Sequence, residues 1–238
     1  MRNWKLYLGS WICGLILILI SATSAQPAIP ADNSVEIPED TKYVALTFDD
    51  GPKQGTTDRL LDGLKERGAS ATFFLVGEWA AVNQDLVRRM RDEGHQVGNH
   101  TWSHVRLEGE DKEALLQEIW HNEILLREVL GGEHYWLRPP YGAIAPELEG
   151  LIEVPMIKWS VDPRDWESRD KEKIVQAVLQ DAKPNSIVLL HDIYPASVKA
   201  ALEIVDTLQK QGYEFVTVRE LFALNSIVPE AGKMYRSG

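Results

Sequence analysis

Short apolar runs alternate along this chain with segments of helical length and period, and nothing else constrains its fold as strongly. Tyr43 to Leu46, Ala71 to Val76, Gln96 to Gly98, Tyr135 to Arg138, Met156 to Val161, Ser186 to Leu190 and Glu214 to Val218 read as strands. The run ATFFLV from Ala71 is apolar without alternation, as strands covered on both faces of a sheet are. Between these runs lie helical patterns. One is capped by Thr56 or Thr57, carries Leu60, Leu61 and Leu64 on one face and stops at Gly68. Others run from about Trp79 to Arg91, Lys112 to Leu130, Lys171 to Ala182 and Ala196 to Lys210. In the longest, Leu115, Ile119, Leu126 and Val129 share a face, and Gly131-Gly132 ends it. Strands that alternate with helices build a parallel sheet, here of about seven strands in an α/β fold.

Polar motifs close the strands, which is where parallel barrels place their active sites. The first is TFDDGP, Thr47 to Pro52. Adjacent residues of a regular strand point to opposite faces, so Asp49 and Asp50 can serve one cleft only if the strand end is distorted, and Gly51-Pro52 breaks it there. The same four residues also suit a plain polar turn. His100 and His104 are four apart, a spacing that on a helical turn projects both imidazoles from one face. With one carboxylate they make three protein ligands and an open position, the pattern of a catalytic zinc site. A histidine pair alone is a weak signal. No glutamate lies between the two, so this is not the HExxH of metalloproteases, and a base must come from elsewhere; Asp49 is available. His95, His121 and His134 have no comparable setting and read as packing or surface residues.

TFDDGP (47–52), HTWSH (100–104), RPPYG (138–142), DPRDW (162–166) and IVLLHD (187–192) resemble, in order and spacing, the five motifs of polysaccharide deacetylases with the NodB homology domain. The resemblance spans about Lys42 to Leu224. It implies a distorted (β/α) barrel and metal-dependent removal of an acetyl group from a glycan. It also implies that Asp50, His100 and His104 bind a divalent metal, usually zinc, that Asp49 is the base, and that His191 is the acid protonating the leaving amine. Arg138 would orient Asp49, and Asp165 would do the same for His191. The Tyr141 backbone amide would help bind the oxyanion, with Trp166 and Leu189 lining the acetyl pocket. Asp162 is left as a structural residue. The substrate implied is N-acetylglucosamine in peptidoglycan or a chitin-like glycan. O-deacetylation of xylan and deacetylation of muramic acid use similar machinery, and a glycan-binding protein that has kept the fold without its catalysis is a separate class.

Met1 to Ala25 reads as a secretory leader: Arg2 and Lys5, an apolar core from Trp11 to Ile20, then small residues. An uncleaved N-terminal anchor is the alternative, and the one route to membrane attachment. The only cysteine, Cys13, lies in this leader, so the mature chain has no thiol or disulfide, as suits an exported bacterial envelope protein. Residues 26–41 read as a linker, 42–224 as the catalytic domain and 225–238 as a polar tail. The net charge of −11 argues against nucleic acid as a partner. Among eight tryptophans, Trp102, Trp136, Trp159 and Trp166 adjoin the motifs and suit a cleft that stacks on sugar rings.

Overall fold

The computed structural model describes residues 41–109, 111–132 and 134–238; the leader and nearly all of the linker lie outside them. Strand β1 (Lys42–Asp49) leads to α1 (Thr57–Glu66), β2 (Thr72–Leu75), α2 (Gly77–Val82), α3 (Gln84–Asp92), β3 (Gln96–Asn99) and α4 (Lys112–Leu130). There follow α5 (Pro146–Glu149), β4 (Met156–Ile157), α6 (Asp165–Ser168), α7 (Lys171–Asp181), β5 (Ile187–His191), α8 (Pro195–Gln209), β6 (Tyr213–Phe215), α9 (Val218–Leu224) and β7 (Met234–Tyr235). Every strand pair is parallel.

The main sheet runs β3-β2-β1-β5, with β6 pairing the first half of β1. Single bridges continue it into a ring. Leu137 lies between Asn99 and Met156, and Val161 bridges back to Val188. The ring is thus a distorted barrel in which the fourth wall is a bridge at Leu137 rather than the strand expected from Tyr135 to Arg138. Pro139 and Pro140, which lack the N–H a ladder needs, cut that segment short.

Alternation decides what faces the barrel interior. Val44, Leu46 and Phe48 of β1 join the large core with Leu60, Leu61 and Leu64 of α1 and Ile204 and Val205 of α8. Ala45 joins a second core with Phe74, Ile157 and Ile187, so Ala45, Thr47 and Asp49 share the other face. Strand β5 has the same period, with Val188 and Leu190 in the large core and Ile187, Leu189 and His191 turned the other way. Gly98 lets the walls close: a Cβ there would sit 2.5 Å from the Phe74 ring and 2.9 Å from the Trp136 carbonyl oxygen.

Other elements also differ from the sequence expectations: of the strand expected from Met156 to Val161 only Met156–Ile157 forms. The helix expected from Trp79 to Arg91 is two helices, broken at Asn83, whose amide donates to the carbonyls of Trp79 and Pro52. The last strand stops at Phe215, because Thr217 and Glu220 form a capping box that starts α9. In the polar tail, β7 pairs with β4. Among the described residues no helix is long and apolar enough to cross a membrane.

Candidate active site

Asp49 is the last residue of β1 and buried, while Asp50 takes φ 73°, breaking the strand's alternation at once. That twist brings both carboxylates into one cleft. Gly51 follows because its Cβ would drive into the Asp192 carboxyl, which is itself fully buried, accepts the Thr57 hydroxyl and is pushed by burial up to about 7.

His100 and His104 do not sit on a helical turn. Positive φ at Thr101 (64°) and His104 (60°) makes the segment an irregular loop, in which the two rings meet edge to face at 4.9 Å. Helix α4 holds this loop. The two Asn122 Nδ2–H groups are shared among the carbonyls of Leu75 (2.7 Å) and Thr101 (3.0 Å) and Asn99 Oδ1 (3.0 Å), while Glu118 accepts from the Ser103 N–H (2.8 Å). Asn122 is fully buried, and Asn122→Leu would take its donor from three oxygens that each keep one backbone N–H, that of His100 on Leu75, of Gly77 on Thr101 and of Thr101 on Asn99 Oδ1. It is expected to cost about 1–2 kcal/mol, read as a lower urea midpoint at unchanged m-value; an unmoved midpoint would deny the amide this role.

His100 Nδ1 donates to the Arg138 carbonyl at 2.6 Å, which leaves Nε2 with its lone pair free. That nitrogen is 3.6 Å from Asp50 Oδ1, and His104 Nε2 is 3.3 Å from the same oxygen. Burial, then the neighbouring His100, pushes the His104 imidazole below its ordinary range and so favours the neutral ligand form. Asp50 Oδ1 is buried and has no hydrogen-bond partner among the described residues, and one atom from each of the three side chains falls within a 4.8 Å group. Two imidazoles and a carboxylate fit a divalent cation with a position to spare.

Arg138 stands behind Asp49. Fully buried, its Nη1 donates to Asp49 Oδ1 and to Thr47 Oγ1, each at 2.7 Å, and the Ile157 and Lys158 carbonyls take Nε and Nη2. The pair fixes Asp49 with Oδ2 towards His100, 3.6 Å away.

His191 closes the other side. Asp165, fully buried, accepts its Nδ1–H through Oδ1 and its backbone N–H through Oδ2, both at 2.8 Å; Oδ2 also accepts the Ser197 hydroxyl at 2.6 Å. Burial works against the imidazolium, but the Asp165 hydrogen bond and charge, with Asp49 and Asp50 beyond, raise it to about 9.

These groups share a cleft of about 440 Å³ with Tyr141, Trp166 and Leu189; Arg138 and Asp165 lie behind its wall. Tyr141 is left-handed (φ 60°, ψ 7°) and 54% exposed. Arg106, Trp159 and Asp162 also line the cleft, and Asp162 accepts the Arg164 N–H at 2.9 Å, as a residue that caps the following turn does. Of the four tryptophans expected to stack on sugar, Trp159 and Trp166 reach it. Trp136 is buried against Phe222, and Trp102 stacks on His121 at 3.8 Å, because the helix side of each motif needs filling. His95 is buried on Phe73, as a packing histidine is.

Residues 36–153 match the family model described as polysaccharide deacetylase. A peptidoglycan-N-acetylmuramic acid deacetylase of Bacillus subtilis is 39% identical over 82% of this chain, which spans only 41% of that relative's length. A peptidoglycan-N-acetylglucosamine deacetylase of Bacillus cereus is 38% identical over 78% of this chain and 91% of its own. The solved structure of a family 4 acetyl xylan esterase from Clostridium thermocellum, in complex with a cobalt ion, superposes with a TM-score of 0.78 at 32% identity, covering 82% of this chain and 98% of the other.

Proposed function

This chain belongs to the polysaccharide deacetylase family, and from that premise we propose that it hydrolyses N-acetyl groups on the glycan of peptidoglycan. One observation carries the reading. A His₂Asp ligand set lies in one cleft between a carboxylate held by a buried arginine and a histidine held by a buried aspartate.

Asp50, His100 and His104 would hold a divalent cation, zinc suiting the donor set best, and when bound it supplies a Lewis acid that polarises the acetyl carbonyl and acidifies water beside it. The rest falls to the chain's own side chains. Asp49 takes the proton from the attacking water, its carboxylate oriented by Arg138 so that one oxygen stays free for the task. The Tyr141 backbone N–H donates to the oxygen on which negative charge develops, and such a donor typically contributes about 3 kcal/mol. His191 gives its proton to the amine as the carbon–nitrogen bond breaks; Asp165 keeps it protonated and fixes which nitrogen faces the cleft. Trp166 and Leu189 enclose the acetyl methyl. Deacetylation of muramic acid is the second reading, favoured by the Bacillus subtilis relative at 39% identity. The leader read at residues 1–25 would deliver the enzyme to the envelope, where that glycan is.

The test is acetate release by the full chain after chelation and again after zinc is restored, on N-acetylglucosamine oligomers, peptidoglycan and acetylated xylan. Release that is lost on chelation and regained with zinc, from a glycan carrying N-acetyl groups, is expected. Glycan binding without release from any substrate would leave a binding protein; release from xylan alone would make it an esterase.

A further inference from the structure

The sequence reading gave Arg106 no role, yet the cleft puts it within reach of the reacting groups. We infer that Arg106 binds a carboxylate carried on the 3-O-lactyl substituent of a muramic acid in the glycan strand. The preferred substrate is then a muramic-acid-containing strand rather than a neutral polymer of N-acetylglucosamine. This deepens the deacetylase reading and rests on it.

The argument starts from charge. Asp49, Asp50 and Asp162 line the cleft, and Arg106 is the one lysine or arginine among the described residues that do. The chain carries a net −11, so an anionic strand approaches it against repulsion unless the cleft offers a cation, whereas a neutral glycan needs none. The guanidinium is also held in place. It lies 4.0 Å over the Tyr141 ring, and that ring meets the His104 imidazole at 4.9 Å, so the cation stands one aromatic ring away from the ligand set. Stacking on its face leaves the N–H groups at the edge of the fork free, the geometry that accepts a carboxylate with two parallel hydrogen bonds.

Those donors are not already used. Among the described residues Arg106 has one carboxylate nearby, that of Glu108, at 3.7 Å with both side chains half exposed, a pair of little weight. The arginine on the side of Trp166 is a useful contrast. Arg164 lies 5.4 Å over Trp166, but Glu167 already takes its Nε at 2.7 Å. Of these two arginines, the one beside Tyr141 has the looser ion pair, 3.7 Å against 2.7 Å.

A muramic acid presents its carboxylate in two ways, on the lactyl group of a strand stripped of peptide or further out on the stem peptide. The experiment therefore measures kcat/KM of the zinc-loaded full chain on four glycans of equal length: a stripped N-acetylglucosamine–N-acetylmuramic acid tetrasaccharide, the same with its lactyl carboxylates amidated, the same bearing stem peptides, and the N-acetylglucosamine tetramer. The wild-type protein is expected to prefer one or both carboxylate-bearing strands over the amidated strand and the tetramer. Arg106→Gln should lower that preference about tenfold to a hundredfold, chiefly through KM, the weight of a charge-assisted hydrogen bond. Arg106→Lys, which keeps the charge and loses the fork, should fall between. Preference for the stripped strand assigns the lactyl carboxylate, and preference for the peptide-bearing strand assigns the stem. An unchanged preference in Arg106→Gln would overturn the inference, and so would an equal loss on all four glycans, since Arg106 would then only support Tyr141. A wild-type protein inert on every glycan would instead overturn the deacetylase reading itself.

Discussion

Asp49→Asn is expected to lower kcat for acetate release by about 10²–10⁴-fold while the protein still binds its cation. The amide keeps the shape of the carboxylate and still offers an oxygen to Arg138 Nη1, now at 2.7 Å from Oδ1. What it cannot do is accept a proton from water. Asp49 Oδ2 stands 3.6 Å from His100 Nε2, no farther than the Asp50 oxygen does, so zinc content has to be read alongside the rate. Stability should fall as well. Arg138 has no exposed surface and Asp49 is its one carboxylate partner among the described residues, so the variant leaves a buried cation without that counter-charge, a loss of up to about 3–5 kcal/mol. Steady-state rates, zinc content per chain and a urea melt on the same preparations separate these effects. A variant that binds zinc normally and keeps its rate within threefold of the wild type would remove Asp49 from the base role.

The parts of this site legible in the sequence are those with a local cause. The double aspartate before Gly51-Pro52 announces a strand end that cannot stay regular, and Asp50 does leave the strand's geometry there. The inward set of Ala45, Thr47 and Asp49 also follows from period two, so Thr47 as a second acceptor for Arg138 was within reach of that rule. Asn122 left a signal too. It falls between Ile119 and Leu126 at helical spacing, a polar residue in an otherwise apolar stripe, and such a residue needs buried partners. Likewise Thr217 and Glu220 stand three apart ahead of an apolar pair, which marks a helix start where a strand was read.

Other parts depend on contacts between distant segments, which no local pattern states. The loop from His100 to His104 has a spacing that also fits a helix, and only its anchors on α4 select the irregular form. Ser197 reads as an ordinary first-turn serine until α8 brings it to Asp165, 32 positions earlier. Strand β7 is two residues long, too short to carry a periodicity, and exists because β4 offers it an edge. Arg106 has no motif at all; its place is set by Tyr141, whose left-handed backbone turns the ring towards it.

Asp165→Asn is expected to move the alkaline limb of kcat towards acid by a unit or more and to flatten the stability of the metal-free protein above neutrality. In the folded chain His191 is raised to about 9 against an ordinary 6.5, so the fold favours the imidazolium. A group raised in this way contributes its full stabilisation below pH 6.5 and loses it as pH climbs through about 9. The shift corresponds to about 3 kcal/mol at most. A cation on Asp50 would oppose the part due to that carboxylate, so the limb of the loaded enzyme should lie between 6.5 and 9. The substitution removes the charge that raises the imidazole. Oδ2 accepts both the His191 backbone N–H and the Ser197 hydroxyl, so the asparagine keeps its oxygen there and turns its amide nitrogen on His191 Nδ1, which can then only accept. Two measurements bear on the prediction: kcat from pH 6 to 10 for the zinc-loaded wild type and variant, and unfolding free energies of their metal-free forms at pH 6.5 and 9.5. The wild type should lose stability across that interval and the variant much less. Coincident alkaline limbs in the two proteins would mean that Asp165 holds His191 in place without setting its proton affinity.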